Sequence, residues 1–391
     1  MNQRDFAEIR RRLNPDRRNP SVIRGCYLSH DGQVIAAFAQ PVYGMAQEEL
    51  EKYMAIFKKV LSGTAGQNLL TVEFTAKQTM EGEEHKLLMD LRASSLKDEM
   101  IVNEFYEKAV EYVQALKERE IQSVDAAQTA GNYLVLLLHD GYDVPYKDGN
   151  GDTDADQSTD LFSYILCAVC PVKPTKPALG YFAGEGEFHN KPSEWMVAMP
   201  DAGFLFPAFE ERSANIYTAS FYTRDSKAVH DDFFRCFFGA EPQMPASEQK
   251  ETFQSILQDT LAEECSLDVM QAVHETVSTM IEERKADKHA EPLKLSRQDV
   301  KEVLESCGVS QEKTDAFDQQ YTETFGAYAE LPAVNMVTPR SFKVNTPSVT
   351  INVDPAHSDL IQTRIIDGRK YILVLADGDV AVNGVNVTIG E

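Results

Sequence analysis

The feature that most constrains this chain is the order in which its hydrophobic periods change. Short runs with strand-like alternation, mixed with helical stretches, fill the first 242 residues. A long helix-period block follows, and strand-like runs return near the end. Segregated blocks of this kind specify an α+β protein rather than a regular βαβ alternation. We therefore expect an N-terminal α/β region with an antiparallel sheet (residues 1–242), followed by a second domain (243–391). The second domain divides into a helical segment, 247–326, and a β-hairpin-rich segment, 340–391.

The N-terminal block opens with Phe6, Ile9 and Leu13 at helical spacing, ended by Asn14-Pro15. Val22–Leu28 and Gln33–Phe38 read as strands joined by the turn Ser29-His30-Asp31-Gly32. Gln47–Leu61 and Ser95–Glu120 carry helical stripes, and Leu69–Ala76 alternates as a strand would. Asn132–His139 and Leu161–Val169 read as buried strands, with an exposed loop at 147–159 between them. Glu194–Met199, Gly203–Phe206 and Ile216–Tyr222 complete an antiparallel sheet, and Val229–Phe238 is a short aromatic helix. Past a linker at 243–245, Ser247–Arg284 is helical throughout. Ser296-Arg297-Gln298-Asp299 is a capped helix start that leads to a stop at Gly308, and Thr314–Phe325 is a further helix. Six short strands follow from Phe342, with Asp367-Gly368 and Asn383-Gly384 as hairpin turns.

Hydrophobic residues make up 43% of the 391, enough to bury a sizeable core. No window approaches the roughly 18 consecutive apolar residues of a membrane span. The opening Met1-Asn-Gln-Arg-Asp5 lacks the apolar run of a signal peptide. Six scattered cysteines suit thiols in a reducing compartment. A cytoplasmic location, with the nucleoid as the finer alternative, and no membrane partner are the expectations.

The net charge of −24 opposes simple electrostatic binding of nucleic acid. The charge is uneven, however. Arg4, Arg10, Arg11, Arg12, Arg17, Arg18 and Arg24 crowd the first 24 residues against Asp5, Glu8 and Asp16. Arg4, Arg10, Arg11, Arg12, Arg17 and Arg18 are the candidate nucleic-acid-binding residues, on a basic arm before an acidic body. A solvated polar face, or intramolecular partners for the acidic body, is the competing reading.

Asp148, Asn150, Asp152 and Asp154 alternate with other residues as oxygen ligands do in calcium loops. Threonine stands at 153 and 159, where an EF-hand needs Gly and Glu, so a solvated loop competes with a weak Ca²⁺ or Mg²⁺ site, and no other cofactor is expected. Cys167-Ala-Val-Cys170 has redox or half-zinc spacing. In a strand, residues three apart point to opposite faces, which favours buried structural thiols. His230-Asp231-Asp232 could supply acid and base groups, but carboxylates at a helix N-terminus are the simpler reading. Gly180–Gly186 is glycine-rich without phosphate-loop spacing. The apolar stripe from Phe253 to Ile281 suits a core or a dimer face.

The segments Asp5–Pro15, Ile23–Tyr27, Asp367–Leu373 and Val382–Val385 resemble a whole-chain family of Firmicutes of unknown function. Asp232-Phe-Phe-Arg-Cys-Phe-Phe-Gly-Ala240 and Ser348-Val-Thr-Ile-Asn-Val-Asp354 are similar to segments of NdpA-type nucleoid-associated proteins. That likeness implies association with the nucleoid and no enzymatic site. The first functional expectation is a non-enzymatic nucleoid- or nucleic-acid-associated protein that forms oligomers. A protein-interaction factor that never touches nucleic acid is the alternative, and a cation-dependent enzyme the third.

Overall fold

The computed structural model describes residues 1–20, 22–122, 131–147, 153–210, 212–287, 290–376, 378, 380–382 and 385–388. The chain is α+β and divides into two compact units, Met1–Pro245 and Ala246–Glu391.

The first unit runs α1 (Gln3–Arg12), β1 (Val22–Leu28), β2 (Val34–Pro41), α2 (Gln47–Val60), β3 (Leu69–Glu73), α3 (Ala76–Glu81), α4 (Glu83–Ala93) and α5 (Glu99–Gln122). It continues with β4 (Asn132–Lys147), β5 (Thr153–Pro174), β6 (Ala178–Phe182), β7 (Glu187–Lys191) and β8 (Trp195–Val197). The last elements are β9 (Ala202–Phe206), β10 (Ala208–Glu210), β11 (Ser213–Asn215), β12 (Thr218–Thr223) and α6 (Asp231–Phe238). An antiparallel sheet in the order β2-β1-β4-β5-β9-β12-β3 forms its centre, with β8 also paired to β5.

Helices cover both faces of this sheet. Val135 and Leu137 of β4, with Ile165, Cys167 and Val169 of β5, pack under α4, α5 and α6. Leu134, Leu136 and Leu138, with Tyr164, Leu166 and Cys170, pack under α1 and α2. Double coverage explains why 134–138 reads as an unbroken apolar run instead of alternating. At Gly203 a Cβ would lie 2.4 Å from the Cys167 carbonyl and 2.9 Å from Val60, so the missing side chain is what lets α2 close onto the sheet.

Several boundaries differ from those expected. Within 147–159, expected to be an exposed loop, β4 extends to Lys147, β5 begins at Thr153, and Lys147 pairs with Thr153. The polar composition of this stretch hid its strand character. Helix α5 starts at Glu99, because Asp98 accepts the Met100 amide at 2.9 Å and caps it. Before it, Ser95 and Leu96 hold left-handed φ values of 53° and 59°. Leu96 is fully buried and its carbonyl takes the Arg24 guanidinium at 3.0 Å, which holds this strained link in place.

In the second unit, the helical stretch from 247 to 284 is two helices, α7 (Ala246–Leu261) and α8 (Leu267–Ala286). Ser266 accepts the Val269 amide and starts a new helix where periodicity alone reads one. Helices α9 (Arg297–Ser306) and α10 (Gln311–Phe325) complete a small bundle, and Ser296 and Asp299 form the capping box at the start of α9. Phe253, Ile256, Leu257, Val273, Val277 and Ile281 lie inside this bundle with Leu304, Phe317 and Tyr321, so the stripe is core. The remaining strands form two-stranded antiparallel ribbons, such as Ile361–Ile366 with Arg369–Val374. Asp367 and Gly368 turn that ribbon with φ of 49° and 75°.

Candidate functional site

Helix α1 is docked on the sheet, with Phe6, Ile9 and Leu13 buried, and this decides what its arginines can do. Arg12 reaches Asp140 of β4 with two nitrogens, at 2.9 and 3.0 Å. The Tyr164 hydroxyl donates to the same carboxylate at 2.9 Å, and the Tyr142 ring lies 4.9 Å from the guanidinium. Burial works against the Arg12 charge, but the Asp140 hydrogen bond and charge outweigh it and hold the guanidinium above its ordinary value. Arg18 donates to the carbonyls of Val42 and Met45 at 2.9 and 3.1 Å. Glu8, on the same helix, accepts from Arg212 and from the Tyr142 hydroxyl. Arg11 and Arg17 are exposed, while Arg4 and Arg10 are half-buried. Arg12 and Arg18 are thus tied into the fold, and Arg11 and Arg17 lie on the surface of the helix and its following turn.

Asp148, Asn150 and Asp152 lie outside the described residues. The Asp154 backbone belongs to β5, opposite Tyr146, and its side chain lies outside what is described. Among the described residues no three His, Cys, Asp or Glu side chains converge as metal ligands. Cys167 and Cys170 point to opposite faces of β5, into separate cores. Burial pushes Cys170 up to about 12 and Cys167 well above its ordinary value, so both are inert thiols.

His230 stands at the N-terminus of α6 and shares a hydrogen bond with Thr223 at 2.8 Å. Asp231 and Asp232 are held by Arg119, so this trio is structural. His139 and Ser163 lie 2.9 Å apart, the spacing of a base and a nucleophile. Burial, with Lys97 and Arg92, holds His139 below its ordinary value of 6.5 against the pull of Asp140. Asp140 lies on the opposite face of β4, where it is bound to Arg12. Among the described residues, no carboxylate bonds to His139 to orient it. A cavity of about 360 Å³ between α4, α5 and α6 is lined by charges of both signs, including Glu84, Lys108, Glu111 and Arg235. Lys108 is already bound to Glu84 at 3.2 Å, and the Cys236 thiol beside them is raised by burial. Neither place assembles a nucleophile, an oriented base and a charge-stabilising donor together.

The distinctive surface lies at the far end of β5. Strands β6 and β7 form a hairpin whose pairing puts Leu179, Tyr181 and Phe188 on one face. Leu179 is 74% exposed and Phe188 64%, and the Tyr181 and Phe188 rings meet at 5.1 Å. Next to it in sequence, β8 pairs with β5 and exposes Trp195 (54%), Met196 and Val197. An isolated two-stranded hairpin is marginal in water, and contiguous exposed apolar patches mark interaction sites. Sequence reasoning passed over this hairpin. Its signal was Gly184-Glu-Gly186, with Gly186 at φ 73°, between two short runs that carry the aromatic residues Tyr181, Phe182 and Phe188.

Fold and surface together define a two-unit α+β protein with a helix-covered antiparallel sheet and an uncovered aromatic hairpin. The chain belongs to the family described as Domain of unknown function (DUF4317), which matches residues 1–385. No curated protein and no solved structure matches it. The likeness to NdpA-type proteins therefore rests on the short segments quoted above.

Proposed function

We propose that this protein is a non-enzymatic interaction factor that docks a partner protein on the surface formed by β6, β7 and β8. The observation that carries this reading is the exposure of Leu179, Tyr181 and Phe188 on one face of the β6–β7 hairpin, with Trp195 exposed on the next strand in sequence. Aromatic residues and methionine are the types enriched in interface cores, and Trp and Tyr dominate binding hot spots. The absence of charge from Ala178 to Ala183 fits a contact made by desolvation rather than by ion pairing.

The test is capture from nuclease-treated extract of the source cells by wild type and by Tyr181→Glu/Phe188→Glu. A partner lost from the variant, with the fold unchanged by circular dichroism, is the expected outcome. Equal capture by both proteins would remove the hairpin from the reading.

A second reading, association with nucleic acid or the nucleoid, is favoured by the surface position of Arg11 and Arg17, with Arg4 and Arg10 close by. It predicts duplex binding that falls steeply with salt and weakens in Arg10→Ala/Arg11→Ala/Arg17→Ala. The engagement of Arg12 and Arg18 within the fold, and the charge of −24, weigh against it.

A further inference from the structure

On the side of the sheet covered by α4 and α5, one end gathers positive charge in a chain that carries −24 overall. Arg92, in the last turn of α4, donates from Nε to the Ser163 carbonyl of β5 at 2.7 Å. The Ser163 hydroxyl shares a hydrogen bond of 2.9 Å with Nε2 of His139 on β4, so the three residues are tied together. Lys97, in the link between α4 and α5, lies close enough that its charge, like that of Arg92, disfavours protonation of His139. Arg24 of β1 holds the same link through the Leu96 carbonyl.

These cations are not balanced by acids. Among the described residues, no carboxylate pairs with Arg92 or Lys97, and burial alone moves the Arg92 guanidinium below its ordinary value. The two acids that follow Lys97 are engaged elsewhere. Asp98 accepts the Met100 amide, and Glu99 accepts from Arg24 at 2.7 Å. Asp140 is bound to Arg12 on the opposite face of β4, and Asp143 stands opposite Leu161, beyond the Gly141–Ser163 pair. A half-buried guanidinium without a counterion carries a desolvation cost that an anion would offset. The link that places Lys97 also contains the left-handed Ser95 and Leu96, and backbone strain of this kind gathers at ligand clamps.

We propose that Arg92, Lys97, Ser163 and His139 form a binding site for the phosphate group of a small molecule. Its donors come from a helix, a link and two strands. Approach from several directions suits a tetrahedral oxyanion better than a flat carboxylate. With Nε fixed on Ser163, the terminal nitrogens of Arg92 form a braced fork. When His139 donates from Nε2 to the Ser163 Oγ, the hydroxyl proton is free to turn to the anion. Lys97 is exposed and adds its ammonium from the solvent side. A polyanion such as nucleic acid would meet repulsion from the acidic body around the site, which a single small phosphate meets least.

The proposal does not depend on the β6–β8 surface. Its test is isothermal titration of the full chain with inorganic phosphate and, separately, with phenyl phosphate, in chloride at matched ionic strength. Wild type is expected to bind phosphate at one site per chain, and the His139 imidazole signals should move in NMR spectra as it binds. Lys97→Ala and Ser163→Ala should each weaken binding roughly tenfold, as for loss of one hydrogen bond to a charged group. Lys97 is exposed, so Lys97→Ala should leave the circular dichroism unchanged. Binding of inorganic phosphate alone would make free phosphate the ligand, and binding of both would make it a phosphate monoester. No binding of either by wild type, or unchanged affinity in Lys97→Ala, would overturn the proposal. So would phosphate that binds without moving the His139 signals, or that is lost instead in Arg10→Ala/Arg11→Ala/Arg17→Ala.

Discussion

Arg12 illustrates how one side chain can be diverted from the surface role its sequence context suggests. Its partner, Asp140, has a side chain only 1% exposed, so the carboxylate depends on Arg12 and Tyr164 for its charge to be tolerated. Arg12→Ala is expected to destabilise the first unit by about 3–5 kcal/mol, the cost of leaving a buried charge uncompensated. Urea denaturation measures it, and adding Asp140→Asn should restore a large part. An unchanged midpoint would mean that the pair contributes nothing. Buried His139 and half-buried His230 add a pH effect of definite sign. Burial first, with nearby charges, keeps His139 and His230 below 6.5 in the folded state. The unfolded chain then binds more protons just below pH 6.5, so stability is fully present above that pH. It is lost as pH falls from 6.5 towards the folded values, and then levels off. Melting temperatures between pH 7.5 and about 5 should show that decline, and His139→Asn should flatten it.

At the scale of elements, the most legible parts were those with strong local signals. The hairpin β1–β2 has its turn at Gly32, where φ is 77°, and the α9 capping box lies where Ser296 and Asp299 place it. Helix α6 was legible as an aromatic segment, and its packing explains why. Phe233, fully buried, meets Tyr112, Phe204 and Phe221 across the face of the sheet. Phe233→Ala should cost about 3–5 kcal/mol, whereas Phe188→Ala on the exposed hairpin should stay within about 0.5 kcal/mol. Similar losses from the two changes, measured by urea denaturation, would mean that the hairpin is buried in solution. Other elements could not be read because their defining contacts are distant. Helices α3 and α4 give a weak stripe, since α4 draws its core positions Leu87, Leu88 and Leu91 from a site formed by α5 and β5. The full length of β4 and β5 was hidden because their outer halves are polar and their pairing is with each other.

At the scale of the whole molecule, the order of hydrophobic periods correctly pointed to a mixed fold, and among the described residues no helix is long and apolar enough to cross a membrane. The arginine cluster was legible as composition. Its division into bound and outward members was not, because Asp140 and the carbonyls of Val42 and Met45 reach it through tertiary contacts. The exposed aromatic face of the β6–β7 hairpin was illegible for a related reason. An exposed aromatic and a buried one look alike in sequence, and only the packing of the remaining strands shows which is left uncovered. The two compact units predict that limited proteolysis cuts first near the 241–246 linker and leaves residues 1–245 resistant. A first cut inside β4 or β5, seen by intact-mass analysis, would mean that the sheet opens before the linker does.

Trp195 is the only tryptophan in the chain and sits on the surface assigned to the partner. Its emission is therefore the most direct measurement of where binding occurs. Titrating the protein with the partner captured by wild type should shift Trp195 emission to shorter wavelength as the indole leaves water. Tyr181→Glu/Phe188→Glu should show no shift. A partner that binds at saturation while the emission stays that of an exposed indole would contradict the assignment of the β6–β8 surface.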